Sequence, residues 1–77
     1  MEPKMADVTM HIDEQTSPDE RESLRDKLLQ LGGVMAADYQ DNHPHLMVIE
    51  YNPDQLAAKQ LVETAQKNGY HAELIGL

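Results

Sequence analysis

Four histidines, at positions 11, 43, 45 and 71, are the residues in this sequence best suited to chemistry, and no cysteine accompanies them. Without thiols, disulfide frameworks, thiolate metal sites, iron–sulfur ligation and cysteine nucleophiles are all excluded. Imidazole is then the strong borderline ligand that remains. His11 falls on the polar side of an alternating run, and His71 stands at the start of another, on the side of Glu73 and away from Ala72 and Leu74. If those two runs are antiparallel neighbours, opposed side chains stand ~5 Å apart. His11 and His71 then share a Zn, Ni or Cu(II) ion, with Glu73 as third ligand. Histidines on a solvated strand face also occur without any ion, and the spacing matches no metal signature.

Other constellations are weaker. Asp13, Glu14, Asp19 and Glu20 gather around a helix start, where the helix dipole favours carboxylates. Their spacing matches no calcium loop, so they read as an acidic surface that guides a basic partner. Ser17 precedes a proline and has no histidine nearby in sequence, the glycines form no phosphate loop, and the carboxylates lack a cleft to raise either pKa. No catalytic residue is expected and no cofactor is required; a divalent metal is the one candidate.

The elements that position these residues follow from periodicity. Ala6, Val8, Met10 and Ile12 alternate with Asp7, Thr9 and His11, the pattern of a half-buried strand. Ser17-Pro18-Asp19-Glu20 reads as N-cap, first-turn proline and capping-box glutamate, with Leu24, Leu28 and Leu31 on one helix face before Gly32-Gly33. A second strand over about Val34 to Gln40 points Met35, Ala37 and Tyr39 one way, and Asp41-Asn42-His43-Pro44 is expected to make the turn. A third strand, about His45 to Tyr51, turns Met47, Ile49 and Tyr51 inward and Leu46, Val48 and Glu50 outward. Ala58, Leu61, Val62 and Ala65 then mark a helix ending at Asn68-Gly69, and Tyr70 to Ile75 a last strand.

Strand, helix, strand, strand, helix, strand with right-handed crossovers gives an α+β, ferredoxin-like βαββαβ sandwich. Its antiparallel sheet has order 4-1-3-2, with both helices on one face. Residues 1–5 read as a polar leader and 6–77 as a single domain. Fourteen acidic against six basic residues give a formal net charge of -8, which repels phosphate backbones and anionic lipid. Nucleic acid is therefore set aside as a partner. No run approaches the ~20 apolar residues a bilayer span needs, so membrane insertion is not expected and a cytoplasmic location is.

Within this frame the chain resembles the heavy-metal-associated domains of copper chaperones and of the N-terminal regions of metal-transporting ATPases. The resemblance runs from about Val8 to Leu74. It rests on Leu24, Leu28 and Leu31 leading into Gly33-Val34, on Ala37 and Tyr39, on Ile49-Glu50-Tyr51-Asn52-Pro53, on Leu61-Val62-Glu63, and on Gly69-Tyr70 with Ala72-Glu73-Leu74. The family signature Met-x-Cys-x-x-Cys falls, in that register, on Gln15, Ser17 and Glu20. The resemblance implies that the degenerate metal positions are Ser17 and Glu20, and a neutral hydroxyl and a hard carboxylate suit Cu(I) poorly. What it leaves is a metallochaperone-like domain that works through protein contacts in or beside metal handling, or else binds a metal without thiols. Leu46, Val48 and Ile75 project to the uncovered sheet face, as a contact surface for a partner or a second copy; such residues also stabilise sheets through cross-strand pairs.

Overall fold

A computed structural model describes residues 5–76, so most of the expected leader, residues 1–4, lies outside the described residues. The elements are β1 (Ala6–Ile12), α1 (Pro18–Leu29), β2 (Val34–Gln40), β3 (His43–Tyr51), α2 (Ala58–Lys67) and β4 (Ala72–Gly76). The sheet order is β2-β3-β1-β4, and all three pairings are antiparallel. This is the βαββαβ arrangement that the alternation and crossover rules predict.

The core lies between the sheet and the helices. Val8, Met10 and Ile12 of β1, Met47, Ile49 and Tyr51 of β3, Ala37 of β2, Leu24 and Leu28 of α1 and Leu61 and Ala65 of α2 are all buried. Met10 pairs with Met47 on one side and Leu74 on the other, so adaptable thioethers fill the middle of the sheet. Each such side chain contributes roughly 1.5–3 kcal/mol by leaving water. The helix α2 closes on a Schellman pattern: Gly69 (φ 90°) donates to the Gln66 carbonyl and Tyr70 to the Ala65 carbonyl. That closure aims Tyr70 back toward the start of α1.

Two local expectations are corrected. Met35 was expected inward beside Ala37 and Tyr39, yet it is 52% exposed. The β2–β3 register shifts between Val34 and Ala36, and this bulge turns Val34 to the core in place of Met35. The hairpin turn was expected over residues 41–44. Gln40 instead pairs with His43, so Asp41 and Asn42 alone form the turn and β3 starts two residues earlier. A second shift, between Tyr39 and Gln40, absorbs the extra residues of β3 around Pro44 and His45.

Candidate functional site

Three connections meet at one end of the sheet: residues 13–17 between β1 and α1, the hairpin turn at 41–42, and residues 68–71 ahead of β4. They are tied together by hydrogen bonds. Asp13 N–H donates to the His71 carbonyl at 2.8 Å.

The first connection ends in a complete capping box. Glu20 N–H donates to Ser17 Oγ at 3.2 Å, and Ser17 N–H donates to Glu20 Oε1 at 2.9 Å. Two orphan donors of the helix N-terminus are thereby satisfied. The Ser17 main-chain bond holds the Glu20 carboxyl below its ordinary range, with the Ser17 side chain and the Tyr70 hydroxyl adding to the effect. Burial and the Glu20 charge push Tyr70 up in turn. Ser17 and Glu20 are thus occupied with each other.

Beneath the loop lies a charge that sequence reasoning missed. Arg21 is 5% exposed, and its guanidinium donates to the buried Thr16 carbonyl at 2.7 Å. It reaches Asp41 Oδ1 in the hairpin turn at 3.4 Å and lies over the Tyr39 ring, 5.4 Å from its centroid. Tyr39 in turn donates to Glu22 at 2.7 Å, a bond that raises its pKa. The signal was present in the sequence, since Arg21, Leu24 and Leu28 share one face at i, i+3 and i+7.

Among the expected ligands, the structure brings His11 and Glu73 together and sets His71 apart. His11 pairs with Glu73 across β1 and β4, and imidazole and carboxylate atoms of His11, Asp13 and Glu73 all lie within 4.8 Å of one another. His11 Nδ1 is buried, with Asp13 Oδ1 3.2 Å away but outside hydrogen-bond geometry. His71 turns to the loop: its Nδ1 lies 2.5 Å from Glu14 Oε2 and its main-chain N–H donates to Glu14 Oε1 at 2.7 Å. The pair shifts both groups, Glu14 downward and His71 upward, chiefly through their side-chain hydrogen bond. His45, expected only near the hairpin, stacks on His11 with ring centroids 5.7 Å apart and planes 16° from parallel.

On the sheet face away from the helices, Leu46 is half-buried while Val48 and Ile75 are 46% and 54% exposed. Leu46 and Val48 line a shallow depression of about 250 Å³ with Thr9, Asp38 and Tyr39.

No protein-family model matches the sequence, and no curated protein does. Solved structures do. The N-terminal domain of a potential copper-translocating P-type ATPase from Bacillus subtilis, in its Cu(I)-loaded state, superposes with a TM-score of 0.85 at 23% identity over 95% of this chain and 90% of its own. Oxidized MerP from Ralstonia metallidurans gives 0.83 at 14% identity, over 92% and 97%. The metallochaperone CopZ gives 0.80 at 15% identity, over 88% and 100%. The fold is that of heavy-metal-associated domains. In a heavy-metal-associated fold with no cysteine, the positions that the resemblance assigns to a thiol pair carry Ser17 and Glu20, and here those two residues build a helix cap. Among the described residues no helix is long and apolar enough to cross a membrane.

Proposed function

We propose that this chain is a non-enzymatic, cytoplasmic domain of heavy-metal-associated fold in which protein binding has replaced thiol-based metal transfer, and that its partner belongs to a metal-handling system. The observation that carries the reading is the sheet face that neither helix covers among the described residues. Leu46, Val48 and Ile75 lie there among Asp7, Asp38 and Glu50, with Asp7 directly opposite Glu50 and Asp38 directly opposite Val48. An apolar centre with an acidic surround fits a partner that presents apolar side chains ringed by lysine or arginine. A second copy fits less well, because its own Asp7, Asp38 and Glu50 would meet like charges across the contact. The capping box supports the same reading, since Ser17 and Glu20 spend their polar atoms on the helix.

Photo-crosslinking in cells tests this. A photo-reactive residue at Val48 should trap one discrete basic partner, in a salt-sensitive manner, whereas the same residue at exposed Glu63 on α2 should trap none. With the photo-reactive residue kept at position 48, Leu46→Lys with Ile75→Lys should abolish the adduct while leaving the domain folded. Equal background labelling from both positions, or an adduct containing only a second copy, would sink the proposal.

A further inference from the structure

We propose that His11, Asp13 and Glu73 form a thiol-free site for a borderline divalent cation, of the zinc, nickel or copper(II) class, at the open end of β1 and β4. This goes beyond the partner-binding reading and rests on other residues. Three observations point to it.

The first is convergence. One imidazole nitrogen and two carboxylate oxygens already lie within 4.8 Å of one another. Ligands at 2.0–2.2 Å around a tetrahedral ion stand about 3.4 Å apart, so closing on an ion takes roughly 1 Å of side-chain movement. Asp13 and Glu73 are exposed and free to make it, while the backbone is fixed by the His11–Glu73 pairing and by the Asp13 N–H bond to the His71 carbonyl.

The second is an unspent donor atom. His11 Nδ1 is buried and has no hydrogen bond, with the Asp13 carboxylate 3.2 Å away. Leaving a buried polar atom without a partner is destabilising, a deficit that coordination of a cation held between Nδ1 and that carboxylate removes. His45 supports the geometry. Its Nδ1 lies 2.7 Å from the Ile12 carbonyl, so that nitrogen carries the proton, and its ring lies flat against His11 and restricts the rotation of the imidazole.

The third is room and charge. Asp13 and Glu73, though not His11, line a depression of about 140 Å³ with Gln66, His71 and Ala72, so the two carboxylates border open space that water can enter. A neutral imidazole and two carboxylates present two negative charges, matched by a divalent ion. The imidazole argues against Mg or Ca, and the oxygens against Cu(I).

The full chain titrated with zinc sulfate, and separately with nickel chloride, tests the site by calorimetry and by NMR of the histidine rings. The expected result is one ion per chain, with His11 moving first. Asp13→Asn and Glu73→Gln, isosteric changes at exposed positions, should each weaken binding by about tenfold or more, and His71→Asn by no more than about threefold. Amide spectra of the metal-free variants confirm that they are folded. The proposal is overturned if no ion binds up to about 1 mM, if Asp13→Asn and Glu73→Gln leave the affinity unchanged, or if His71→Asn removes binding that Asp13→Asn spares.

Discussion

His71 and Glu14 are joined twice, by a main-chain N–H donated to Glu14 Oε1 at 2.7 Å and by an imidazole Nδ1 2.5 Å from Glu14 Oε2. Residues 13–17 are thereby clasped to the approach to β4, and the clasp depends on pH. The His71 pKa is raised above its ordinary 6.5, first by the Glu14 hydrogen bond and then by the Glu14 charge. Its contribution is therefore complete below about 6.5 and fades as pH rises through the raised value. The Glu14 pKa is lowered from its ordinary 4.5, first by the same hydrogen bond, so its contribution is complete above about 4.5 and fades as pH falls through the lowered value. The two overlap fully between about 4.5 and 6.5. Both groups are solvent-exposed, so the effect is small. Glu14→Gln should return the His71 titration toward 6.5 by NMR and reduce stability most within that window; an unmoved His71 titration would show that the clasp does not form in solution.

Arg21 predicts a different kind of dependence, on packing rather than pH. Its guanidinium satisfies the buried Thr16 carbonyl and covers Tyr39, whereas its Asp41 partner is 86% exposed. Arg21→Ala should cost about 2 kcal/mol or more in urea denaturation, because it orphans a buried carbonyl and opens a cavity. Asp41→Asn should cost about 0.5 kcal/mol or less, as exposed ion pairs do. Equal costs would mean that the hairpin contact, and not the loop, is what Arg21 secures.

The adjacent glycines Gly32 and Gly33 separate backbone strain from mere flexibility. Gly33 has φ 103°, and a Cβ there would lie 3.0 Å from Gln55 Cβ and 3.2 Å from Leu56 Cβ. Gly33→Ala should therefore destabilise the fold by about 1–3 kcal/mol. Gly32 has no positive φ and no atom within 4 Å of such a Cβ, so Gly32→Ala should change stability by about 0.5 kcal/mol or less. Thermal melts of the two single variants check the contrast.

What the sequence discloses and what it hides divide along one physical line. β1 and the start of α1 are legible because their signals are local: strict alternation from Ala6 to Ile12, and Ser17 three residues ahead of Glu20. Met35 and the hairpin turn are misread because bulges are decided between strands, by pairing that no alternation within one strand encodes. The trio proposed to hold a metal has the same character. A register that sets His11 opposite Glu73, with His71 level with Asp13, depends on where β4 begins and on the shift between Thr9 and Met10. Arg21 was hidden for another reason: a charged residue on an apolar helix stripe reads as an interruption until its partners Thr16 and Tyr39 are seen around it.

The resemblance itself is open to test, by Ser17→Cys together with Glu20→Cys. In the wild type no thiolate exists, Met10 and Met47 are buried in the core, and the exposed Met5 and Met35 lie near the opposite end of the sheet from residues 13–17, so Cu(I) should bind only weakly. The double change places one thiol at the N-cap and one in the first turn of α1, where the helix N-terminus lowers thiol pKa values and favours the thiolate that binds soft metals. It removes both side-chain bonds of the capping box, at a cost of about 1 kcal/mol, which a domain stable by ~5 kcal/mol or more survives. Pro18 stays between the two sulfurs, and its fixed φ restricts how the loop closes around an ion. Competition titration against a Cu(I) chelator should therefore show one new high-affinity site in the variant and none in the wild type. A folded double-cysteine chain that takes up neither Cu(I) nor zinc would mean that positions 17 and 20 are not where this fold holds metal.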